Sequence, residues 1–385
     1  MESYEEFEEY LRTGEPDKEE RARNWSIAIG LQDVDGIRPS KFLIQQAKDN
    51  IEGKISRQQV SKNIEAYYQE KTIRDEAVKN RTLEADRVSE RINDLLTEKA
   101  FTFSPAELIH IHAYLFKGLD KKAGLLRDYN ITKKQWILEG DTIEYGHAGN
   151  LTSLLNFDFG EEKKFDYSYH TSIEALNHIA RFISGIWQIH PFGEGNTRST
   201  AVFLIKYLKS FGFNVNNESF ARHSWFFRNA LVRSQYENIP KGIHRTFEPL
   251  ERFLMHAVLG TPAALRNRTL HIRWKEEGGE GTPAKPQNGV SETPKPQNEV
   301  LKGSFSSISQ PLIEAGQQIS IKELAVLKLI SENKHISIKE LAQSPGLSKG
   351  TVDRLIKSLK EKGLLQRIGP KNNSTWQIKR PLFNA

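Results

Sequence analysis

The sequence contains no cysteine among its 385 residues. Disulfide bonds, thiol nucleophiles and thiolate metal ligands are therefore excluded. Long hydrophobic runs are also missing, since no window approaches the roughly 18 consecutive apolar residues that a membrane-spanning helix needs. The N-terminal stretch MESYEEFEEYLRTGEPDKEE is acidic, unlike the basic start of a secretory signal. We therefore expect a cytoplasmic protein.

The charge of the chain is unevenly distributed. The length predicts two or three domains, each with enough apolar residues to bury a core. The formal net charge is +6, but residues 301–385 contain 14 Lys and Arg against 6 Asp and Glu. This C-terminal part therefore carries +8 and the remainder −2, so the basic surplus belongs to a C-terminal module.

Chemically active side chains are concentrated in residues 189–199, which read IHPFGEGNTRS. Apolar residues recur at helical spacing before this stretch, and do so again after it as far as Gly212. The pattern predicts a short loop between two buried helices, with the second half of the loop opening the second helix. The unpaired N–H groups and the positive dipole end of that helix form an anion site.

The residue types in this loop suit phosphate chemistry. Gly193 and Gly195 allow the backbone to approach a phosphate closely, and Arg198 can donate two parallel hydrogen bonds to phosphate oxygens. Glu194 can hold a divalent cation that bridges those oxygens. His190 is then left beside the reacting phosphorus, where it can accept a proton.

The loop resembles the core motif of the Fic (filamentation induced by cAMP) family, which is written HPFx(D/E)GNGRxxR. Seven positions of HPFGEGNTR match in register. Two positions differ, because Thr197 replaces a glycine and Ala201 stands where the family often has a second arginine. The resemblance implies an enzyme that transfers AMP from ATP to a Ser, Thr or Tyr hydroxyl of a target protein, or of itself.

The resemblance also assigns roles to the residues of the loop. His190 is the catalytic general base, Glu194 holds Mg²⁺ against the α and β phosphates, and Arg198 steadies the leaving pyrophosphate. The nucleotide's anion hole is lined by Gly193, Gly195, Asn196 and the backbone of Thr197. Because Thr197 adds a side chain where glycine is usual, we expect it to narrow this hole. ATP is then the substrate and Mg²⁺ the cofactor.

Two alternatives stay open. One is another transfer on the same scaffold, since relatives use this loop for phosphorylation, phosphocholine transfer or removal of AMP. The other is a DNA-binding transcriptional regulator whose Fic domain only senses nucleotide. That hypothesis predicts that His190→Ala leaves the biological effect intact.

The N-terminal part, residues 1–74, is predicted to be helical. Helices are expected at 19–32 and 41–51, and a third begins at Ser56, which can form a capping box with Gln59. One interpretation is an accessory element with no role of its own. The other follows from a resemblance to the antitoxin-like inhibitory segment of Fic proteins, whose helix carries (S/T)xxxE(G/N).

The counterpart of that inhibitory motif is LQDVDG at residues 31–36. Leu31 takes the Ser/Thr position and Asp35 takes the glutamate position. In the family the glutamate pairs with the second arginine of the core motif, which Ala201 replaces here. The resemblance therefore makes Leu31 and Asp35 candidate regulatory residues, and Arg198 is the motif cation left to pair with Asp35.

The predicted Fic core spans residues 75–275. A long helix at 82–100 is rich in paired charges, so we expect it to be mostly solvated. Ser104 and Pro105 begin another helix, in which His112 is expected to pack and hydrogen-bond within the fold. The turn at 123–128, AGLLRD, resembles the AGxxR turn of the family.

A β-hairpin is predicted before the motif, with strands at 133–138 and 142–145 around the turn EGD. In Fic proteins this hairpin is the flap, which pairs with an extended segment of the target and places its hydroxyl over the histidine. A hairpin without that role is the alternative. Downstream, a helix at 220–236 places Arg228, Asn229 and Arg233 either near the nucleotide or on a solvated face.

Residues 276–304 have the composition of a flexible linker. Beyond it, residues 305–385 contain capping boxes at 320–323 and 337–340, a helix from about 347, and strands at 364–367 and 374–378. This pattern resembles a winged helix-turn-helix, which binds DNA or docks proteins. The residues available to DNA are Ser348, Lys349, Thr351, Arg354 and Lys357 in a major groove and Lys371 at a phosphate.

The sequence therefore predicts a mainly α protein. Its parts are an inhibitory segment, a Fic helical core with one β-hairpin flap, a linker, and a C-terminal winged helix-turn-helix domain. The implied partners are a target protein docked on the flap at 133–145, DNA at the C-terminal domain, and a second copy of the chain, since Fic domains often pair.

Overall fold

The computed structural model describes residues 7–13, 15–70, 76–167, 170–213, 215, 217–274, 323, 326–327, 329–330, 333–343, 349–368 and 375–378. Within these residues the protein is mainly α, as predicted. The predicted linker at 276–304 and most of the capping box at 320–323 lie outside them. In the same ranges no helix has the length and apolar character needed to cross a lipid bilayer.

Twelve helices are described before the predicted linker. They are α1 (Glu8–Thr13), α2 (Pro16–Gly30), α3 (Lys41–Ile51), α4 (Arg57–Glu70), α5 (Glu76–Thr97), α6 (Pro105–Phe116), α7 (Leu151–Lys164), α8 (Ser172–Ile189), α9 (Asn196–Ser210), α10 (Asn217–Arg222), α11 (Ser224–Gln235) and α12 (Glu248–Leu259). Short 3₁₀ turns lie at Leu31–Asp35, Trp136–Leu138, Ala148–Asn150, Ile239–Lys241 and Asn267–Leu270.

Local capping sets many of these helix ends. Ser40 begins α3 by accepting a hydrogen bond from the Leu43 N–H, and Ser104 begins α6 in the same way. Ser56 accepts from the Gln59 N–H at 3.2 Å, but the Gln59 amide donates to Asn63. The capping box predicted at Ser56 is therefore half formed.

Helix α2 joins two hydrophobic cores. Trp25 and Ile29 are buried with residues of α3 and α4, whereas Ile27 and Ala28 are buried in the large core around α8 and α9. The 3₁₀ turn Leu31–Asp35 continues α2 and places Leu31 in the large core, completely buried. The N-terminal part is therefore packed into the rest of the structure.

Helix α5 is more buried than its charges suggest. Ala85, Val88 and Ile92 are buried, and so are the polar residues Asp86 and Glu90. The reason is that α5 packs against α2, α4, α6 and α9. The prediction of a mostly solvated helix at 82–100 is therefore wrong.

The flap segment reverses direction without forming a β ladder. The Gln135 N–H donates to the Asp141 carbonyl and the Gly140 N–H donates to the Gln135 carbonyl, each at 2.9 Å. Between them the chain forms the 3₁₀ turn Trp136–Leu138 instead of an extended strand. The hairpin is present as a chain reversal, but the two predicted strands do not form.

The helix predicted at 220–236 is two helices, α10 and α11, that meet at His223. The break lies beside the N-terminal part, where the Ser224 hydroxyl donates to the Gly30 carbonyl at 2.8 Å. Gly30 approaches α10 so closely that a Cβ there would lie 2.4 Å from the backbone of Ala221. This contact joins α2 to the junction of α10 and α11.

The described C-terminal residues form α13 (Ile338–Leu341), α14 (Lys349–Glu361), β1 (Leu365–Ile368) and β2 (Thr375–Ile378). The strands pair antiparallel, with Leu365 opposite Ile378. The predicted capping box is present, since Ser337 and Glu340 exchange both hydrogen bonds. A separate hydrophobic cluster includes Val352, Leu359 and Trp376. The predicted helix and wing strands are confirmed.

Candidate active site

The loop between α8 and α9 is held by its own side chains. Helix α8 ends at His190, whose backbone is left-handed (φ 49°), and α9 begins after Gly195 (φ 73°). The Asn196 amide donates to the Phe192 carbonyl at 2.7 Å, and its oxygen accepts from the Phe192 N–H at 3.0 Å. Phe192 is buried and stacks on His112 with ring centroids 3.7 Å apart. The Asn196 side chain, predicted to line the anion hole, is occupied in this loop clamp.

His112 packs and hydrogen-bonds within the fold, as predicted. Its Nδ1 accepts from the Gly124 N–H at 2.9 Å, and its Nε2 lies 3.1 Å from the Glu194 carbonyl. Because a carbonyl can only accept, Nε2 carries the proton. Burial lowers the pKa of His112 to about 4, so the ring is neutral. It supports the loop by packing against Phe192 and by hydrogen bonding to the Glu194 carbonyl.

Arg127 also holds the loop, a role that was not predicted from the sequence. Its Nε donates to the His190 carbonyl at 2.8 Å, and its Nη2 donates to the carbonyls of Ile189, at 3.2 Å, and Gly146. The Arg127 N–H also donates to the Pro191 carbonyl at 2.9 Å. The AGxxR turn in the sequence pointed to this residue, because its arginine is the one that holds the loop between α8 and α9.

His190 has the geometry of a general base. Its Nδ1 lies 3.1 Å from the Trp187 carbonyl, so Nδ1 carries the proton and Nε2 keeps the free lone pair. The side chain is buried, and the Tyr145 ring lies 4.5 Å away. Burial lowers the pKa of His190 well below its ordinary value, and the Lys133 charge lowers it further. The imidazole is therefore neutral and able to accept a proton.

Glu194, the predicted metal ligand, is paired with a lysine. The Lys133 ammonium lies 3.0 Å from its carboxylate and also donates to the Gly193 carbonyl at 3.4 Å. The Glu194 side chain is 77% exposed, so it is open to a ligand. In the described part of the chain no group of three or more His, Cys, Asp or Glu residues is placed to hold a metal ion. A Mg²⁺ ion fits Glu194 only if phosphate oxygens and water complete its coordination.

The two glycines of the loop have packing reasons of their own. A Cβ at Gly193 would lie 2.8 Å from the Tyr129 hydroxyl, and one at Gly195 would lie 2.3 Å from the Phe116 ring. Gly195 also has a left-handed backbone that disfavours other residues. Close approach of the backbone to a phosphate stays a prediction, whereas close packing against these two rings is observed.

Thr197 does not project freely into the predicted anion hole. It is buried, and its hydroxyl accepts a hydrogen bond from the Trp187 indole at 3.0 Å. The side chain thus joins the first turn of α9 to the last turn of α8. This helix-to-helix contact was not indicated by the sequence pattern, and the narrowing of the anion hole by Thr197 stays a prediction.

Arg198 is buried and surrounded by acceptors. Its Nε lies 2.7 Å from the Asp35 carboxylate, and its Nη2 lies 2.6 Å from the Glu84 carboxylate. Its Nη1 donates to the Gln32 side chain at 3.1 Å, and its guanidinium lies 4.8 Å from the Phe116 ring centroid. The contact with Asp35 is the one anticipated from the sequence. Glu84 and Gln32 were not anticipated, because nothing in their local sequence marks them.

A shallow groove runs beside the flap. It is lined by residues 130–132, by residues 142–145, and by His147. Tyr145 is common to the groove and to the surroundings of His190. One wall of the groove is therefore a neighbour of His190.

In the C-terminal domain, three of the residues predicted to bind DNA are exposed on α14, namely Lys349, Arg354 and Lys357. Thr351 is half-buried at the start of the same helix. Ser348 and Lys371 lie outside the described residues. The buried face of α14 carries Val352, Leu355, Ile356 and Leu359. The cations thus occupy the face opposite the hydrophobic cluster.

Comparison with known families agrees with this arrangement. Residues 102–208, which include the whole motif loop, match the Fic/DOC family model. Residues 319–366 match a winged helix-turn-helix DNA-binding model. No curated protein matches the chain. Neither family match covers residues 1–74, so an inhibitory role for that part stays a prediction.

The protein therefore contains a Fic/DOC domain and a C-terminal winged helix-turn-helix domain. The first supports a nucleotidyl or phosphoryl transferase function of the Fic type. The second suggests DNA binding.

Proposed function

We propose that the protein transfers AMP from ATP to a Ser, Thr or Tyr hydroxyl of a target protein or of itself. The observation that carries this proposal is the state of His190. Its Nδ1 proton is bound to the Trp187 carbonyl and its Nε2 is an unprotonated base within a loop that opens a helix. General-base catalysis by a positioned histidine typically contributes about 10²- to 10⁴-fold.

In the proposed reaction, Nε2 of His190 accepts the proton of the attacking hydroxyl. The hydroxyl oxygen forms a bond to the α phosphorus, and the bond from that phosphorus to the bridging oxygen breaks, so that pyrophosphate leaves with the electron pair. The N–H groups in the first turn of α9, at Asn196, Thr197 and Arg198, face the N-terminal end of the helix and favour bound phosphate. Arg127 keeps the loop in place through the His190 carbonyl.

Mg²⁺, when bound, neutralises phosphate charge, and Glu194 is the residue that would hold it together with phosphate oxygens. The Lys133 ammonium already contacts the Glu194 carboxylate. A cation must therefore compete with Lys133. Lys133 also contacts the Gly193 carbonyl, so it fixes the position of the Glu194 side chain relative to the loop.

Control by the N-terminal part is proposed to act through Arg198. Asp35 of the N-terminal part and Glu84 of α5 neutralise this arginine, and Gln32 of the N-terminal part accepts a hydrogen bond from it. Pyrophosphate oxygens need the same donors, so these side chains compete with the nucleotide directly. Leu31 is buried in the core and holds the segment in place. In this proposal it does not itself block the nucleotide.

The target is proposed to dock along the flap at 133–145, in the groove that Tyr145 lines. Self-modification and pairing of two copies are further proposals that the resemblance implies. The C-terminal domain is proposed to bind DNA through the cationic face of α14.

Incubation with ATP labelled on the α phosphate, in parallel with ATP labelled on the γ phosphate, tests the proposed transfer. We expect α label on protein, a mass increase of one adenylate, and loss of both in His190→Ala, which retains ATP binding because imidazole holds no phosphate. Transfer of γ label alone would identify phosphorylation instead. An unchanged biological effect of His190→Ala would favour the nucleotide-sensing regulator.

A further inference from the structure

The sequence offered three polar residues of helix α11 as neighbours of the nucleotide, and two of them are engaged elsewhere. The Asn229 amide donates to the Asn267 side chain at 2.9 Å. Arg233 donates to the His244 carbonyl at 3.4 Å. Arg228 differs from both, because its guanidinium lies over the Trp225 ring, 4.8 Å from the centroid. Stacking on the indole holds the planar guanidinium in one orientation.

Arg228 is next to the segment that covers Arg198. Helix α11 packs against both α8 and the 3₁₀ turn Leu31–Asp35. Ser224, one helical turn before Arg228, is bonded to the Gly30 carbonyl and so fixes this face of α11 toward the turn. The geometry therefore brings Arg228 to the end of the turn that carries Asp35.

Electrostatic effects agree with this placement. Burial lowers the pKa of the Arg228 guanidinium, and the neighbouring Asp35, Tyr145 and Glu194 act in the opposite direction. The Arg228 charge in turn helps to lower the pKa of His190. Arg228 therefore neighbours both the covering segment and the catalytic loop.

Among the described residues, no carboxylate forms an ion pair with Arg228. In the part of the chain that the structure describes, its guanidinium makes no hydrogen bond or ion pair, whereas Arg198 forms ion pairs with Asp35 and Glu84 and a hydrogen bond with Gln32. Arg228 is partly buried, so its guanidinium is partly desolvated and retains hydrogen-bond donors that an anion can use. The core motif of this chain also lacks a second arginine, because buried Ala201 occupies that position.

Asp35 connects the two guanidinium groups. Its carboxylate lies 2.7 Å from Arg198 and is also an electrostatic neighbour of Arg228. A phosphate group that displaces this carboxylate would therefore meet both arginines.

We propose that Arg228 binds the terminal phosphates of a nucleoside triphosphate, so that α11 provides the cation that the motif lacks at Ala201. The proposal rests on the proposed function, because it concerns the same nucleotide. It adds a residue from outside the motif and predicts that affinity for the phosphate chain depends on α11. Arg228 is then a binding residue, and His190 remains the base.

The test is calorimetric titration of the full chain with ATP and, separately, with AMP, which lacks the terminal phosphates. Arg228→Gln is expected to weaken ATP binding by about 10- to 100-fold, the usual effect of losing a charge-assisted hydrogen bond, and to leave AMP binding within about twofold. Arg228→Lys should retain part of the ATP affinity. The matched control is Arg233→Gln on the same helix, which should leave the ratio of the ATP and AMP affinities unchanged.

The same titrations are repeated in Asp35→Ala, where the competing carboxylate is absent. Equal ATP binding by wild type and Arg228→Gln in both backgrounds would overturn the proposal, as would an equal loss of ATP and AMP binding. If neither the wild type nor Asp35→Ala binds ATP, the proposed transferase function itself fails. That outcome differs from ATP binding that is normal in the wild type and unchanged in Arg228→Gln, which would overturn only the role of Arg228.

Discussion

His190 adopts a left-handed backbone conformation that costs a residue other than glycine about 1 to 2 kcal/mol. The Arg127 guanidinium binds the His190 carbonyl, and the Trp187 carbonyl binds the His190 ring, so this conformation is held from two sides. This left-handed conformation turns the chain sharply after α8, and it thereby sets the direction of the imidazole. A single residue thus links helix termination to the chemistry of the site.

The pH dependence of transfer should follow from the environment of His190. Burial and the Lys133 charge lower its pKa well below 6.5, so the neutral base form persists as the pH falls through that value. We expect the acidic limb of the rate profile, measured at saturating ATP from about pH 5 to pH 8, to lie below pH 6.5. Lys133→Met removes a nearby positive charge, raises the pKa of His190 and should move this limb to higher pH. A wild-type limb centred at pH 6.5 would contradict the argument.

Thr197 is expected to contribute stability through its hydroxyl. The buried Trp187 indole donates to this oxygen at 3.0 Å, so Thr197→Val would leave a buried N–H group without its acceptor. The free energy of unfolding should fall by about 1 to 3 kcal/mol, as measured by chemical denaturation. Thr197→Ser keeps the acceptor and serves as the control. Equal stability of the valine variant and the wild type would show that this hydrogen bond is unimportant.

The 3₁₀ turn Leu31–Asp35 and helix α5 together cover Arg198 in the first turn of α9, and we call these contacts the Arg198 clamp. The turn supplies Gln32 and Asp35, and α5 supplies Glu84. The turn ends at Gly36, whose left-handed backbone (φ 63°) stops it directly after Asp35. The position of the carboxylate is therefore set by the end of a local element.

Removing the carboxylates of the Arg198 clamp should activate AMP transfer. Asp35→Ala and Glu84→Gln are each expected to raise the rate and to tighten ATP binding, because both carboxylates form ion pairs with Arg198 and so neutralise the charge that would attract phosphate. The double variant should exceed either single one. The measurement is initial rate and ATP affinity, and Glu65→Gln, an exposed carboxylate on α4, is the matched control. Unchanged rates in the double variant would leave the N-terminal part an accessory element.

Leu31→Ala is a less direct test of the same element. Leu31 is completely buried in the large core, so its truncation is expected to cost about 2 to 5 kcal/mol of stability. A change in activity would then be confused with a change in folding. The alternative that Leu31 acts by steric bulk alone is better addressed after the two carboxylates have been replaced.

At the scale of the whole molecule, the N-terminal part is continuous with the Fic/DOC domain. Helix α2 contributes to both hydrophobic cores and packs against α5 and α10. Deletion of residues 1–70 would uncover apolar side chains of the large core, and it would remove Gln32 and Asp35 from Arg198 but leave Glu84 in place. Point substitutions in the Arg198 clamp therefore distinguish inhibition from structural support more clearly than truncation does.

The uneven charge of the chain leads to a prediction about DNA. The C-terminal residues carry +8 and the rest −2, and the cations of α14 face away from its hydrophobic cluster. We expect binding to duplex DNA that weakens as salt rises. The double variant Arg354→Ala and Lys357→Ala should reduce the slope of log affinity against log salt by about 2, whereas Lys163→Ala with Lys241→Ala should not. Lack of binding to any duplex at low salt would favour a protein-docking role.

Much of the architecture was determined by the sequence alone. Capping residues, helical periodicity and the HPFGEGNTR loop are local signals, so the bounds of α3, the start of α6, the wing strands and the place of His190 could all be predicted. Local signals succeed because a helix end or a turn depends on residues only a few positions apart.

Apart from Asp35, which the sequence indicated as a partner of Arg198, only the tertiary structure decided which groups meet at Arg198, Thr197 and Glu194. Gln32 and Glu84 lie 166 and 114 residues from Arg198 in the chain, so no spacing rule connects them. Packing also buried the polar residues of α5 and kept the flap from forming strands. These outcomes depend on which surfaces come together, and that is decided by the burial of apolar area across the whole molecule rather than by any local pattern.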